Sequence, residues 1–338
     1  MTEQDEVRAV AGPIAGLLRA CALLVLAAAF ILPGSTARAA DYPSRPVKIV
    51  VPFGAGGPTD VYVRAIALEL QKSLHQPFVV ENRPGAGTTI GTAFAAQSAP
   101  DGYTLLMAGS TQSVNETLYA HKPYKLLRDL IPVAPLIESD LALVVNPKVP
   151  AHNVAELIAL ARAKPGTLNF GSSGPGSNYH MSAELLKSLT GIDIVHVPYK
   201  TSMAMRTDIV GGQIQMVFDS VPTMAPLIKA GLVRALGTSG DKRSAILPDV
   251  PTVAETVPGF QSTLWVGFMA PKGTPQPIVD TLNRTIGGIL GRPAIQSAWE
   301  KQGATPVVMS QPAYAAYMAA QVAKWAKVVA TNHIPLMN

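Results

Sequence analysis

Hydrophobic residues alternate between short runs and helical spacing along the chain from residue 47 onward. Val47–Val51 is an uninterrupted apolar run, which predicts a buried strand. After a glycine-rich turn at 54–57, Val63, Ile66 and Leu70 recur at intervals of three and four residues, which predicts an amphipathic helix. Further short apolar runs predict strands at 78–81, 104–108, 141–145, 168–172, 194–197, 216–219 and 233–237.

Helical segments separate most of these strands, and this alternation is typical of an α/β fold with mostly parallel sheets. A body of about 300 residues usually divides into two domains. Helical patterns from 278 to 290 and around Trp325 have no comparably polar loop beside them, which predicts that they return to pack on the first domain. We therefore expect two α/β lobes joined by two chain crossings.

Polar turns follow several of the strands at their carboxyl ends, where open α/β sheets bind ligands. These turns are rich in small hydrogen-bonding residues and lie at 54–60, 109–113, 171–177 and 219–220. Asp60 is placed to cap one helix and Ser177 to begin another, so backbone N–H groups at both helix starts would point into one cleft. A carboxylate would suit these donors, although Asp60 could equally be a helix cap alone.

The first 39 residues have the organisation of a secretory signal. Arg8 and Arg19 precede an uncharged run from 20 to 32, and small residues surround Ala39. The run has about 13 residues, against the ~20 that a transmembrane helix needs. We therefore expect residues 1–39 to be a signal peptide that is cleaved after Ala39.

Composition narrows the class of protein. The chain has 338 residues, of which 48% are hydrophobic and 14% charged, which excludes a disordered or charge-rich repeat protein. Its net charge of +5 comes from scattered Lys and Arg, so nucleic acid is not an expected partner. Cys21 is the only cysteine and lies within the predicted signal, so the exported body would rely on neither disulfides nor thiolate metal ligands.

No cofactor or metal is expected from the motifs. The glycine-rich turns at 54–59 and 85–90 end in Thr59 and Ile90, so neither matches the dinucleotide fingerprint G-x-G-x-x-G. The 6 histidines show no short ligand spacing, which disfavours a structural metal. His196 lies between two valines of a predicted strand, and we expect it to be half-buried and hydrogen-bonded.

Ordered sequence blocks across residues 42 to 330 resemble the Bug proteins, the substrate-binding components of tripartite tricarboxylate transporters. The blocks are VVPFGAGGPTD at 50–60, VENRPGAG at 80–87, APDGYTLL at 99–106, KPGTLNF at 164–170, VHVPYK at 195–200, GGQIQ at 211–215, KAG at 229–231 and LPDVPTV at 247–253. Many blocks in the same order are far more specific than any single glycine motif.

The resemblance implies a periplasmic type II binding protein with two lobes, each a mostly parallel sheet flanked by helices. It places the first lobe at 40–142 plus 265–338 and the second at 143–264, with the ligand cleft between them. The implied function is capture of a small carboxylate and its delivery to membrane transporter subunits or a sensor kinase. We expect a monomer without cofactor, and the identity of the carboxylate stays open among dicarboxylates, tricarboxylates, acidic amino acids and aromatic acids.

The resemblance also carries ligand contacts onto positions of this chain that match the family's loops. They are Phe53, Gly57, Pro58, Thr59, Asp60, Ser110, Thr111, Ser172, Ser173, Gly176, Ser177, His180, Tyr199, Phe218 and Asp219. One segment departs from the family pattern, because Thr201 stands where glycine is common and bulkier residues follow up to Arg206. This segment is expected to change the size or charge of the pocket.

A hydrolase is the alternative hypothesis, with Ser173, His180 and Asp219 as a triad. Its sequence support is weak, since a nucleophile elbow needs Gly-x-Ser-x-Gly and Pro175 stands at the last position. The sequence therefore favours reversible capture by closure of the lobes over bond cleavage.

Overall fold

The computed structural model describes residues 42–56 and 58–337. The predicted signal peptide, with Cys21, and Gly57 of the first glycine-rich turn lie outside the described residues. The strands are β1 Val47–Val51, β2 Phe78–Asn82, β3 Thr104–Gly109, β4 Leu130–Ser139, β5 Leu141–Val145, β6 Asn169–Ser172, β7 Val195–Pro198, β8 Met216–Ser220, β9 Arg234–Thr238, β10 Leu264–Pro271 and β11 Thr305–Pro306.

Helices alternate with these strands, as the apolar spacing predicts. They are α1 Pro58–Leu74, α2 Thr89–Ala96, α3 Ser110–Leu118, α4 Leu126–Asp129, α5 Val154–Ala163, α6 Asn178–Thr190, α7 Ser202–Gly211, α8 Val221–Lys229, α9 Gln276–Leu290, α10 Pro293–Glu300 and α11 Gln311–Thr331. Within the described part of the chain, no helix combines the length and the apolar character needed to cross a membrane.

The strands form two sheets, one in each lobe. The first has the order β11-β4-β10-β3-β1-β2 and the second the order β7-β6-β8-β5-β9. β1 runs parallel to β2 and β3, and β6 runs parallel to β7 and β8. β10 and β5 run antiparallel to both of their neighbours. The predicted two-lobed α/β fold is confirmed, but the sheets are mixed and not mostly parallel.

The first sheet contains more antiparallel pairs than expected because β4 and β10, which the apolar pattern did not predict as strands, both take part in it. β4 contains Pro132 and Pro135, and proline disfavours a strand because it has no N–H for the ladder. Both prolines face β10, where the register shifts beside their partners. β11 pairs only with Ile137 and Glu138, so at both prolines the other side of β4 has no strand partner among the described residues, and proline is tolerated on such an edge strand.

The chain crosses between the lobes where β4 ends and β5 begins, with Asp140 as the single residue between them. It returns between β9 and β10, so the predicted boundaries at 142/143 and 264/265 lie close to both crossings. Leu141 pairs with Ser220 at the carboxyl end of β8. Ser139 pairs with Leu264, next to the contact of β10 with the carboxyl end of β3. The carboxyl edges of the two sheets therefore face each other across this crossing.

The last helix, α11, departs from its predicted place. Tyr314 and Met318 in its first half lie in the core of the first lobe. Trp325 and Val328 in its second half lie in the core of the second lobe, together with apolar residues of α5 and α6. α11 therefore packs on both lobes and not on the first alone, because its apolar stripe is long enough to cover both cores.

Candidate ligand-binding site

The loop after β1 is held in shape by Asp60, in the first turn of α1. Asp60 is 3% exposed and accepts hydrogen bonds from Gly56 N at 2.9 Å, Arg64 Nε at 2.8 Å and Asn82 Nδ2 at 2.8 Å. Burial alone would raise the pKa of Asp60, but these donors outweigh it and lower the pKa to about 2. Asp60 therefore holds the turn in place as a carboxylate, and the helix starts three residues earlier than a cap at Asp60 would predict.

The other residues of this loop that were predicted to contact the ligand are close to Asp60 in the sequence. Phe53 is half-buried, and its carbonyl accepts a hydrogen bond from Asn82 Nδ2 at 3.1 Å. Pro58 begins α1, and Thr59 follows as a half-buried residue. Gly57 is outside the described residues.

The start of α3 contributes Ser110 and Thr111 to the same carboxyl edge. Ser110 is 2% exposed, and its hydroxyl accepts a hydrogen bond from Trp265 N at 3.4 Å. Thr111 is half-buried. Because Trp265 belongs to β10, this bond joins the start of α3 to the returning crossing strand.

In the second lobe, two of the three predicted serines are used to hold their own loop. Ser172 is fully buried, with its hydroxyl 2.6 Å from His196 Nε2. Ser177 caps α6 by accepting a bond from His180 N at 3.3 Å, and it donates to the carbonyl of Gly174 at 2.7 Å. Ser173 is half-buried and has no hydrogen bond to any described residue. The hydroxyl of Ser173 is therefore the one of the three that is left for a ligand.

His180 and His196 form a buried stack beneath this loop. Their ring centroids are 4.0 Å apart, and Phe170 stacks on His196 at 4.9 Å. Burial lowers the pKa of both histidines to about 4. His180 Nδ1 accepts a hydrogen bond from Gly176 N at 3.1 Å, so a neutral ring keeps its proton on Nε2. His196 is half-buried and hydrogen-bonded, which confirms the prediction for that residue.

Gly176 of this loop lies against α3 of the first lobe. Its φ of 75° lies in the left-handed region, and a Cβ placed on it would be 2.6 Å from Leu118 Cδ2 of α3. Glycine is required here both by the backbone conformation and by the contact. The predicted site residue therefore serves the contact between the two lobes.

Asp219, at the end of β8, is fully buried and is paired with Arg206 of α7. The distances are 2.7 Å from Arg206 Nε to Asp219 Oδ2 and 3.0 Å from Arg206 Nη2 to Asp219 Oδ1. Ser220 N donates to Oδ1 at 2.7 Å. Burial and the adjacent Asp219 raise the pKa of Tyr179 far above its usual value. The sequence analysis named Asp219 but did not identify Arg206 as its partner, although Arg206 ends the segment that departs from the family pattern.

Tyr199 and Phe218 differ in what they can offer a ligand. The hydroxyl of Tyr199 donates to Asp208 Oδ2 at 2.7 Å, and burial together with this acceptor raises the pKa of Tyr199 to about 12. Phe218 is fully buried and stacks on Phe260 with ring centroids 5.6 Å apart. The structure places the Phe218 ring in the core of the second lobe and away from the polar edge.

The geometry does not support a hydrolytic triad. The carboxylate of Asp219 is bonded to Arg206, and Nδ1 of His180 is bonded to Gly176. Neither His180 nor Asp219 is in position to activate Ser173 through the other. Among the described residues, no group of three His, Cys, Asp or Glu side chains could hold a metal ion.

Comparison with known proteins decides the family. The model of the tripartite tricarboxylate transporter family receptor matches residues 62–334. The chain belongs to this receptor family. Members of the family are solute-binding receptors and not enzymes, so the hydrolase alternative is wrong.

Relatives of this receptor include proteins solved with small acids. Protein BugT of Bordetella pertussis is 40% identical over 316 residues, which cover 93% of this chain and 96% of BugT. R. palustris Rpa4515 with adipate is 36% identical with a TM-score of 0.75, over 88% of this chain and 100% of that chain. MatC (Rpa3494) from Rhodopseudomonas palustris with bound malate is 32% identical with a TM-score of 0.71, over 85% of this chain and 100% of that chain.

Proposed function

We propose that this receptor captures a small carboxylate in the periplasm, between the facing carboxyl edges of its two sheets. The observation that carries the proposal is the pairing of both buried carboxylates at these edges with arginine. Asp60 is bonded to Arg64 and Asp219 to Arg206, so neither carboxylate leaves an uncompensated negative charge to repel an anion.

The loop at the start of α6 also leaves hydrogen-bond donors without a protein partner. The hydroxyl of Ser173 is uncommitted among the described residues, and the first turn of α6 leaves N–H groups beyond those bonded to Ser177. A carboxylate accepts bonds from such donors, and charge-assisted bonds are about twice as strong as neutral ones. The adipate and malate bound by two relatives support the same ligand chemistry.

Capture requires the lobes to close on the ligand and reopen. We propose that the lobes bend at Asp140 and in the returning segment between β9 and β10, close to the predicted boundaries at 142/143 and 264/265, with the second half of α11 packed on the second lobe. The exported receptor would begin at Ala40, act as a monomer, and deliver its ligand to membrane subunits of a tripartite transporter or to a sensor kinase.

The test is a thermal-shift screen of the chain from Ala40 against a panel of mono-, di- and tricarboxylates, with mass analysis of the recovered compound. A ligand at 100 times its dissociation constant adds about 2.7 kcal/mol of stability, which is readily measured. We expect at least one carboxylate to raise the midpoint and to be recovered unchanged. Recovery of a cleaved product, or no response to any carboxylate, would contradict capture.

A matched pair of serine variants locates the binding site. Ser173→Ala removes the uncommitted hydroxyl, so it should weaken binding without lowering the thermal midpoint of the ligand-free protein. Ser98→Ala removes a half-buried hydroxyl that donates to the carbonyl of Phe94 after the end of α2, away from the carboxyl edges, and should leave binding unchanged. Equal effects of the two variants would place the ligand elsewhere.

A further inference from the structure

The pair of Asp219 and Arg206 lies beside the loop proposed to bind the ligand. In the register of the second sheet, Gly171 lies opposite Val217, so Asp219 is just beyond the carboxyl end of β6. A Cβ on Gly171 would be 2.8 Å from Cγ of Met205, the residue before Arg206, so α7 packs directly on β6 where the loop begins.

Tyr179 connects this pair to the start of α6. It is the second residue of α6, two positions after the capping Ser177. Its side chain lies close to both Asp219 and Arg206, because each of them influences its electrostatics. Arg206 is therefore beside the first turn of α6, held there by its two bonds to the buried Asp219.

Arg206 keeps hydrogen-bonding capacity for a ligand. A guanidinium has five N–H donors, and the carboxylate of Asp219 uses one on Nε and one on Nη2. Even with a further bond to Tyr179, at least two donors have no partner among the described residues. The side chain of Arg206 is 21% exposed, while Asp219 behind it is fully buried. The free side of the guanidinium is therefore the side that solvent or a ligand can reach.

The same pairing occupies two of the carboxylates that could bind an amino group, Asp60 and Asp219. An ammonium on a ligand needs an acceptor, preferably a carboxylate. Both oxygens of Asp60 and both oxygens of Asp219 already accept bonds from protein donors. An ammonium group beside Arg206 would therefore meet a like charge, and neither Asp60 nor Asp219 has an unbonded oxygen with which to bind it.

We infer that Arg206 is a specificity-determining residue that binds a second carboxylate of the ligand, and that the receptor selects diacids without an amino group. This inference rests on the proposed capture of a carboxylate. It narrows the ligand class, since monocarboxylates leave Arg206 unused and acidic amino acids are disfavoured.

The test is titration calorimetry with sets of acids that differ in one group. Succinate, glutarate, adipate and terephthalate are compared with butyrate, valerate, hexanoate and benzoate, and with L-aspartate and L-glutamate. We expect the wild-type receptor to bind its best diacid at least tenfold more tightly than the matching monoacid or amino acid. In Arg206→Met, diacid affinity should fall at least tenfold to the monoacid level, while monoacid affinity changes less than twofold.

Arg206→Met leaves Asp219 as an unpaired buried charge, so the variant could fail to fold. The double variant Arg206→Met/Asp219→Asn removes both charges and should fold, and the same loss of diacid preference is expected from it. Arg162→Met is the matched control, because Arg162 is an exposed arginine of the same lobe that donates to the carbonyl of Thr190 at 2.8 Å. It should bind as the wild type does.

The outcomes separate the two proposals. If the wild type binds none of these acids, capture of a carboxylate falls and the inference falls with it. If the wild type binds glutamate as tightly as glutarate, or the double variant keeps the diacid preference, the inference is overturned while capture stands.

Discussion

Asp140, where the chain first crosses between the lobes, carries a carboxyl group in an acidic neighbourhood. Burial is the largest influence on it, and the negative charges of Glu138 and Asp241 add to burial. Together they raise the pKa of Asp140 from 3.8 to about 6. Lys324 of α11 compensates Glu138 and not Asp140. Ionised Asp140 is therefore a destabilising group that the crossing tolerates.

The sign of the effect follows from where the proton binds more tightly. Because the pKa of Asp140 is higher in the folded protein than in the unfolded chain, protonation of Asp140 stabilises the folded state. This stabilising contribution is complete below pH 3.8 and is lost as the pH rises through about 6. Moving a pKa from 3.8 to about 6 corresponds to about 3 kcal/mol, at ~1.4 kcal/mol per pH unit. Asp140→Asn removes the charge, so it should stabilise the protein by up to about that amount at neutral pH.

The assay is urea unfolding of the wild type and Asp140→Asn at intervals from pH 4 to pH 7.5. The difference in free energy of unfolding should be small at pH 4, grow between pH 4 and 6, and become constant above about pH 7. Asp249→Asn changes an exposed aspartate of the returning segment and should show no such growth. A difference for Asp140→Asn that is independent of pH, or that favours the wild type at pH 7, would refute the reasoning.

Asp60→Asn should act in the opposite sense: the pKa of Asp60 is lowered from 3.8 to about 2, so it contributes about 2 kcal/mol above pH 4 that is lost as the pH falls towards 2. Urea unfolding should show the deficit of the variant at pH 7 and its narrowing in acid, and a deficit that widens in acid would contradict it. Gly176→Ala should destabilise by about 1–3 kcal/mol, because it combines a left-handed backbone with a Cβ 2.6 Å from Leu118 Cδ2. Thermal unfolding should show a loss in Gly176→Ala/Leu118→Ala that is smaller than the sum of the two single losses, since Leu118→Ala opens space for the new Cβ, and an additive loss would count against the contact. Phe218→Leu should lower stability by about 1–3 kcal/mol with carboxylate affinity unchanged, because the ring is fully buried in the core. Titration calorimetry checks this, and a loss of affinity without loss of stability would return Phe218 to the ligand site.

The fold was predictable wherever a strand is an uninterrupted apolar run. β1 and β5 begin and end where the sequence places them, and the other predicted strands differ by one residue at one or both ends. β4, β10 and the two-residue β11 were missed, and β4 and β10 are the strands of the first lobe that adjoin the two crossings. β4 could not be predicted from residue propensities because it contains prolines. A strand tolerates proline only where one of its sides is an edge, and which strands form an edge is a property of the assembled sheet.

The loops of the candidate site were predictable for a related reason. Small polar residues after a strand predict a turn at the carboxyl edge, and the structure brings the turns after β1, β3, β6 and β8 to the two facing edges. The role of each side chain was harder to predict. Ser172 and Ser173 are adjacent in sequence, yet one is bonded to His196 in the interior and the other is left uncommitted, because Ser172 is the last residue of β6 and Ser173 already lies in the bend that follows.

Acidic side chains repel an anionic ligand unless each of them is paired with a positive charge. Arg64 could have been paired with Asp60 from the sequence, since residues four apart share a helix face. Arg206 could not have been paired with Asp219, because packing of α7 against β8 brings them together. Once paired, each carboxylate orients an arginine and backbone donors instead of repelling an anion. The acidic residues therefore indicate how the donors are held in place, and selectivity for the ligand depends on donors that the carboxylates leave free.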